Sequence, residues 1–456
     1  MNTQNTKING KELLLGALSH EDVPAVPWVP YAGIHAGKLK GYTATEILTD
    51  GDKLFDSLMA VNELYDPDGQ PVVFDLQLEA EILGCEMLWA EKAPPSVATH
   101  PLSNRGDVPN FLIEPKDGRL PIVLDVMRRM KKSVGDHTAL YGLICGPLTL
   151  ASHLRGTELF MDMIRHPDSL KELIEYCTMT AKRVSDFYID AGMDVIAIVD
   201  PLISQISPKH FNQFFAAPYQ DIFSTIRHAS VYSSFFVCGD ATKNIEVMCQ
   251  TAPDSIAVDE NLNMLTAKEI TDRYNITIAG NIPLTTKMLL GTQQDNMKFT
   301  VELLDQIGHK NFILAPGCDM PYDTPIENVV GVVQAVRDTE NTRKMIANYQ
   351  SPEIDTSSVV IPDYTHLEKP LIEVFTLDSD TCAACTYMLG AAQRVTTELA
   401  GQVDMIEYKF TKPENVARVV KMGITNLPTI FINGELKYSS IIPSNDEFLA
   451  ELKKHL

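Results

Sequence analysis

The chain lacks any apolar stretch near the roughly 20 residues that a membrane-spanning helix requires, and its first 22 residues hold only one short apolar run among Asn, Lys, Glu and Gly. Neither a membrane span nor a secretory leader is expected from this pattern. Basic residues are also in deficit: 38 Lys and Arg face 60 Asp and Glu, for a formal charge of -22. Such a surface repels nucleic acid and anionic membranes, so neither is expected as a partner. Cysteine is sparse, with eight residues scattered at positions 85, 145, 177, 238, 249, 318, 382 and 385. That is no dense secreted-type disulfide framework, and the pattern fits a reducing, cytoplasmic compartment. Internal repeats and low-complexity tracts are absent as well.

What is present is apolar residue in quantity. With 45% hydrophobic residues over 456 positions, the chain exceeds what a single core usually supports. Short runs rich in Val and Ile, at residues 26–29, 71–74, 139–144, 195–199, 231–237, 255–258, 276–279 and 312–314, alternate with longer segments of helical period. Alternation of this kind marks parallel strands joined by helices. Eight runs predict a (β/α)8 TIM barrel over residues 1–340, although an open doubly wound sheet would leave the same periodicity. A linker punctuated by Pro and Ser follows at 341–370, and a second, smaller α/β domain at 371–456.

The small domain reads strand, helix, strand, helix, strand, strand, helix, with Cys382-Ala-Ala-Cys385 at the start of its first helix and Pro428 just before its third strand. A thiol at a helix N-terminus is lowered in pKa by the unpaired N–H groups there. Cys382 is therefore expected to attack and Cys385 to resolve. A CxxC also serves zinc sites, but no second Cys pair lies nearby to complete four ligands. The segment resembles the thioredoxin/glutaredoxin family, and by that resemblance Pro428 takes the place of the proline beside the CxxC. The Ala-Ala dipeptide departs from the family's tuning residues and leaves the direction of electron flow open.

In the large domain several runs end in polar residues: Asp75, Cys145, Asp200, Cys238, Asp259, Asn281 and Cys318. Parallel strands of a barrel place such ends on one rim, where active sites are built. Cys238 and Cys318 can thus meet although 80 positions separate them. Zinc held by thiolates could there bind and deprotonate a thiol substrate; two buried cysteines acting as small hydrophobes would have the same spacing. His153 and Arg155 are candidates for contacting an anionic substrate group, against a role on a helix surface. Asp200, Asp259 and Asn281 are candidates for orienting a substrate, against helix capping.

The stretch from Glu12 to Val336 resembles the uroporphyrinogen decarboxylase superfamily, and within it the corrinoid-linked methyltransferases. The resemblance is carried by Phe74-Asp75 with Glu79-Ala-Glu-Ile-Leu-Gly84, by Gly146-Pro147 with Leu154-Arg155-Gly156-Thr157, and by Ala191-Gly192 through Asp200-Pro201. Cys238-Gly239-Asp240, Ala279-Gly280-Asn281 and Ala315-Pro316-Gly317-Cys318-Asp319 complete it. The family implies a (β/α)8 barrel in which zinc is held by a His-x-Cys pair and a distant Cys, and a thiol such as coenzyme M exchanges methyl with a methylcorrinoid protein. Decarboxylation of an acidic tetrapyrrole is disfavoured, because residues 27–37 contain no Arg to grip its carboxylates. The methyltransferase pattern is also broken: Phe236-Val237-Cys238 stands where His-x-Cys is implied. With Cys238 and Cys318 as two ligands, Glu79 is the leading substitute for the third, and Asp319 and His35 are weaker ones. Alternatively the site holds no metal and the two cysteines work as a dithiol.

These readings predict an enzyme moving a methyl group between a corrinoid protein and a small thiol or similar acceptor, zinc-assisted, with the CxxC domain supporting the thiol chemistry. Two alternatives stand beside it. One is a thiol-disulfide oxidoreductase or redox sensor with the barrel as scaffold or client; the other is a decarboxylase-like enzyme acting on another small acid.

Overall fold

The computed structural model describes residues 9–104, 108–379, 383–424 and 426–456. The chain divides into two compact units, Met1–Tyr349 and Gln350–Leu456. Among the described residues no helix is long and apolar enough to cross a membrane.

The first unit is built on seven parallel strands in sequential order: β1 (Gly69–Val73), β2 (Ala139–Cys145), β3 (Val195–Val199), β4 (Tyr232–Val237), β5 (Ser255–Val258), β6 (Thr277–Ile282) and β7 (Phe312–Pro316). Each connection carries helices, and nearly every strand residue is buried, as expected of parallel strands covered on both faces. The run at 26–29 forms only an isolated bridge, Trp28 to Leu314. Pro27 and Pro30 lack the N–H groups a full ladder would need. The segment nevertheless touches both sheet edges. On the β7 side Val29 N–H donates to the Leu314 carbonyl, and Leu314 N–H to that of Pro27, both at 2.9 Å. On the β1 side the Trp28 carbonyl accepts from Asp68 N–H at 3.0 Å and from Gly69 N–H at 3.3 Å. A flat sheet cannot offer both edges to three consecutive residues, so the sheet curls.

Alternate strand residues point to the inside of the curl. Tyr141 and Leu143, Val195, Ala197 and Val199, Phe236, Ala257, Ala279, Ile313 and Ala315 pack there with Tyr31 and Phe74, and Cys238 and Cys318 lie against this cluster. Small residues on β5, β6 and β7 leave room for rings from the other side, which is how a tapered interior fills without voids.

The first unit runs on through the helix Thr339–Ile346, and residues 350–370 belong to the second unit. The second unit has a four-stranded sheet formed by β8 (Leu371–Thr376), β9 (Asp404–Lys409), β10 (Thr429–Ile432) and β11 (Glu435–Ser439), in the order β9-β8-β10-β11. β8 and β9 are parallel, and the other two pairings are antiparallel. Helices Ala383–Glu398, Pro413–Lys421 and Asn445–Leu452 complete the order, and Ile372, Val374, Met388, Val395, Ile430, Ile432, Phe448 and Leu452 share its core. The Leu427–Pro428 peptide bond is cis. Residues 350–370 fold back onto their own unit: Tyr364 hydroxyl donates to Glu373 at 2.6 Å, and Arg418 and Lys421 donate to the carbonyls of Val360 and Val359 at 2.8 and 2.7 Å.

Candidate active site

The C-terminal ends of β4 and β7 bring Cys238 and Cys318 together. Both are free thiols and partly exposed, both pack against the cluster around Tyr31 and Phe236, and each sulfur is close enough to act on the other's ionisation. The neighbouring Cys318 thiol and burial hold Cys238 well above the ordinary thiol range, so it is protonated at neutral pH. Beneath the thiols lies an aromatic floor: the Phe236 ring sits 4.8 Å from Tyr31 and 5.8 Å from Phe74, centroid to centroid. Phe236 is buried.

Three carboxylates surround the pair. Asp259, after β5, accepts from Gly239 N–H and from the backbone and side-chain N–H groups of Asn261, and burial raises it to about 6. Glu260, its neighbour, accepts from Leu284 N–H at 3.2 Å through Oε1, while Oε2 is buried without a hydrogen-bond partner. Burial and the charge of Asp259 push Glu260 up to about 8. Gly317 is required here, because a β-carbon at that position would collide with Glu260 Oε2. Asp319 accepts from Gly33 N–H at 2.7 Å, and burial pushes it up to about 8. None of the three forms an ion pair with Lys or Arg among the described residues. Glu260 escaped the sequence reading; the acidic doublet Asp259-Glu260 closing the short apolar run at 255–258 was its available signal.

The other candidates lie in different surroundings. Asn281 donates its amide to the carbonyls of Asp259 and Leu262 at 2.9 and 3.0 Å, buttressing the loop that carries Glu260. Asp200 is fully buried and accepts from Leu148 and Thr149 N–H, the Thr149 hydroxyl and the Tyr219 hydroxyl. It thereby caps the N-terminus of helix Pro147–Arg155 from a neighbouring strand, and burial raises it to about 6. Arg155 is buried, not on a helix surface, and spends its guanidinium on Asp162 at 2.7 Å and on the carbonyls of Leu102 and Ser103. His153 is buried, lowered to about 4 by desolvation, and its Nε2 has no hydrogen-bond partner.

Glu79 is buried close to Asp75, Cys145 and Tyr188, with neither oxygen hydrogen-bonded, and burial pushes it up to about 8. The guanidinium nearby, Arg119, pairs instead with Asp75 and Glu81, both at 2.7 Å. His35 uses both ring nitrogens, on the Tyr65 hydroxyl at 2.7 Å and the Tyr322 carbonyl at 3.2 Å, and burial lowers it to about 4. Cys382 lies outside the described residues. Cys385 is disulfide-bonded, and its sulfur accepts from Leu377 N–H at 3.4 Å. Pro428 immediately precedes β10.

A zinc ion at the thiol pair requires at least a third donor. Phe236 offers a buried hydrocarbon ring, and Glu79, Cys238 and Cys318 do not converge. Among the described residues no three His, Cys, Asp or Glu side chains are grouped so as to hold a metal ion. The donor set stops at two sulfurs, and the residues present do not fit the implied ion.

Residues 9–339 match the family model described as Uroporphyrinogen decarboxylase (URO-D), a span that takes in all seven strands of the curled sheet and both thiols. Methylcobamide:CoM methyltransferase MtbA of Methanosarcina acetivorans is 26% identical over 340 residues, covering 73% of this chain and 98% of its own length. Methylcobamide:CoM methyltransferase MtaA of Methanosarcina barkeri is 28% identical over 337 residues, covering 71% and 96%. A solved methyltransferase from Methanosarcina mazei superposes with a TM-score of 0.66 at 26% identity, covering 73% of this chain and 99% of its own. The chain belongs to the uroporphyrinogen decarboxylase family.

Proposed function

We propose that the protein is a corrinoid-dependent methyltransferase that moves a methyl group between a methylcobamide carried on a partner protein and a small thiol. The observation that carries the reading is the near end-to-end similarity of the first unit to methylcobamide:CoM methyltransferases, with a pair of thiols at the strand ends where a thiol substrate would bind. With residues 27–29 counted as an eighth member, the first unit is read as a (β/α)8 barrel whose rim is the active site.

In the direction of thiol methylation, the acceptor sulfur forms the new C–S bond as the C–Co bond of the corrinoid substrate breaks, and the thiol gives up a proton. An acidic, partly desolvated site raises thiol pKa values and works against that proton loss. A base is therefore needed, and Glu260 has the free oxygen and the matched pKa to serve as one. No step is assigned to zinc, since the donor set falls one short.

The second unit is read as a thioredoxin-like redox module. Its support is the sheet order with one parallel and two antiparallel pairings, and a disulfide-bonded Cys385 in the first turn of its first helix. Cys382, Cys385 and Pro428 are its proposed working residues, keeping the thiol substrate or the barrel thiols reduced.

The test uses the reduced full chain, free methylcobalamin and a panel of thiols including coenzyme M, read by the visible spectrum of the corrinoid. Thiol-dependent demethylation is expected, with a loss of about 10- to 100-fold in Glu260→Gln. No demethylation with any thiol overturns the reading.

A further inference from the structure

We propose that Cys238 and Cys318 form a reversible disulfide, so that the mouth of the curled sheet is itself a redox-modified site with a dithiol and a disulfide form. The inference rests on the methyltransferase reading only for its consequence, that the disulfide form is inactive.

Four observations converge. The two thiols stand at the ends of β4 and β7 against one buried cluster, both next to Tyr31 and close enough to act on each other's ionisation, so the sulfurs need only approach locally to bond at about 2.05 Å. Neither sulfur sits within a strand: Cys238 follows β4 and Cys318 lies two residues past β7, each beside a glycine, Gly239 and Gly317. The side chains can therefore turn without breaking a ladder. Both thiols are partly exposed, whereas Cys85, Cys145, Cys177 and Cys249 are buried, so a small oxidant in solvent reaches this pair selectively. Finally, the side chain at 236 is a ring packed into the floor, and no third donor among the described residues joins the sulfurs to make a metal site that would shield them.

The oxidant is a low-molecular-weight disulfide, RSSR. One cysteine sulfur loses its proton and attacks RSSR, forming a mixed disulfide and releasing one RSH. The second cysteine sulfur then attacks the first, forming the Cys238–Cys318 bond and releasing the other RSH. Two S–H bonds and one S–S bond are consumed and the same number formed, and two electrons pass from the protein to RSSR. A dithiol such as dithiothreitol reverses the sequence.

The test treats the reduced full chain with excess oxidised glutathione, alkylates the remaining thiols, and maps peptides by mass spectrometry, with metal content measured beforehand on anaerobically purified protein. The expected result is a Cys238–Cys318 cross-linked peptide, two hydrogens lighter than the sum of its parts. It appears in the wild type, is lost in Cys238→Ser, and is cleaved by dithiothreitol. Three results would overturn the proposal: both cysteines still fully alkylated, separate glutathione adducts on each without a cross-link, or about one zinc per chain that protects both thiols. Methylcobalamin turnover measured on the same reduced sample separates the two ideas. Turnover without a cross-link leaves the methyltransferase reading and removes this one, and a cross-link without turnover does the reverse.

Discussion

Two corners of the same curled sheet present a buried glutamate with unsatisfied oxygen, and burial pushes both to about 8. Around Glu79 stand Asp75 and Arg119, with the guanidinium already paired to Asp75 and Glu81. Around Glu260 stand the Cys238 thiol and a further carboxylate, Asp259, with no cation paired to either carboxylate among the described residues. Desolvation sets the pKa in both places, but neighbours decide what the proton can be used for. The first corner sets its unpartnered carboxyl beside a buried thiol, Cys145, with a paired cation next to it. The second sets one beside a partly exposed thiol, which a substrate from solvent can reach.

The contrast between the corners should show most strongly in the stability of Glu79→Gln. The folded-state pKa of Glu79 lies above its unfolded value near 4.5. Its contribution is therefore fully present below pH 4.5, is lost as pH rises toward 8, and is level beyond. Each tenfold change in proton affinity is worth about 1.4 kcal/mol, so the loss is on the order of 5 kcal/mol. Gln mimics the neutral acid and does not titrate. Urea unfolding should show the variant gaining on the wild type between pH 4.5 and 8 and matching its slope below 4.5. Parallel curves across the whole range would mean that folding does not shift the Glu79 carboxyl at all.

Next in size is Phe236→His, which replaces part of the aromatic floor with the donor the family pattern implies. Without metal the variant should lose about 3 kcal/mol, through a cavity and a buried polar ring. With zinc present it should recover stability and bind about one ion per chain, as a third ligand joins the two thiols. A variant that stays zinc-free would show that the ring position cannot reach the sulfurs.

Much of this was legible in the sequence, and the reasons differ by residue. The strand runs were visible because buried parallel strands are apolar throughout, and Cys238 and Cys318 stood out because each closes such a run. The broken His-x-Cys pattern was equally plain at Phe236. What periodicity hides is pairing. It does not show that prolines reduce residues 26–29 to a bridge that still ties both sheet edges, since that depends on curl. It does not show that Arg155 is consumed by Asp162 one helix further on, or that His35 is held by Tyr65 thirty residues away. Glu260 was overlooked because a carboxylate after a strand usually begins a loop. Only the packing of Gly317 against its free oxygen distinguishes it.

The smallest expected effect bears most directly on the difference between the corners. If Glu260 takes the proton of the acceptor thiol, it must be ionised to act, so turnover should rise with pH along a limb centred near 8. Glu260→Gln should lower kcat by about 10- to 100-fold, leave KM for the thiol nearly unchanged, and remove that limb of the profile. The acceptor thiol titrates in the same range, so the limb needs assigning. Run with thiols of different acidity, a limb owned by Glu260 stays in place, whereas one owned by the substrate moves with its pKa. Glu79→Gln, equally buried and equally raised, should leave the limb where it is. If both variants erased it, the two corners would act as one titrating unit and the distinction between them would fall.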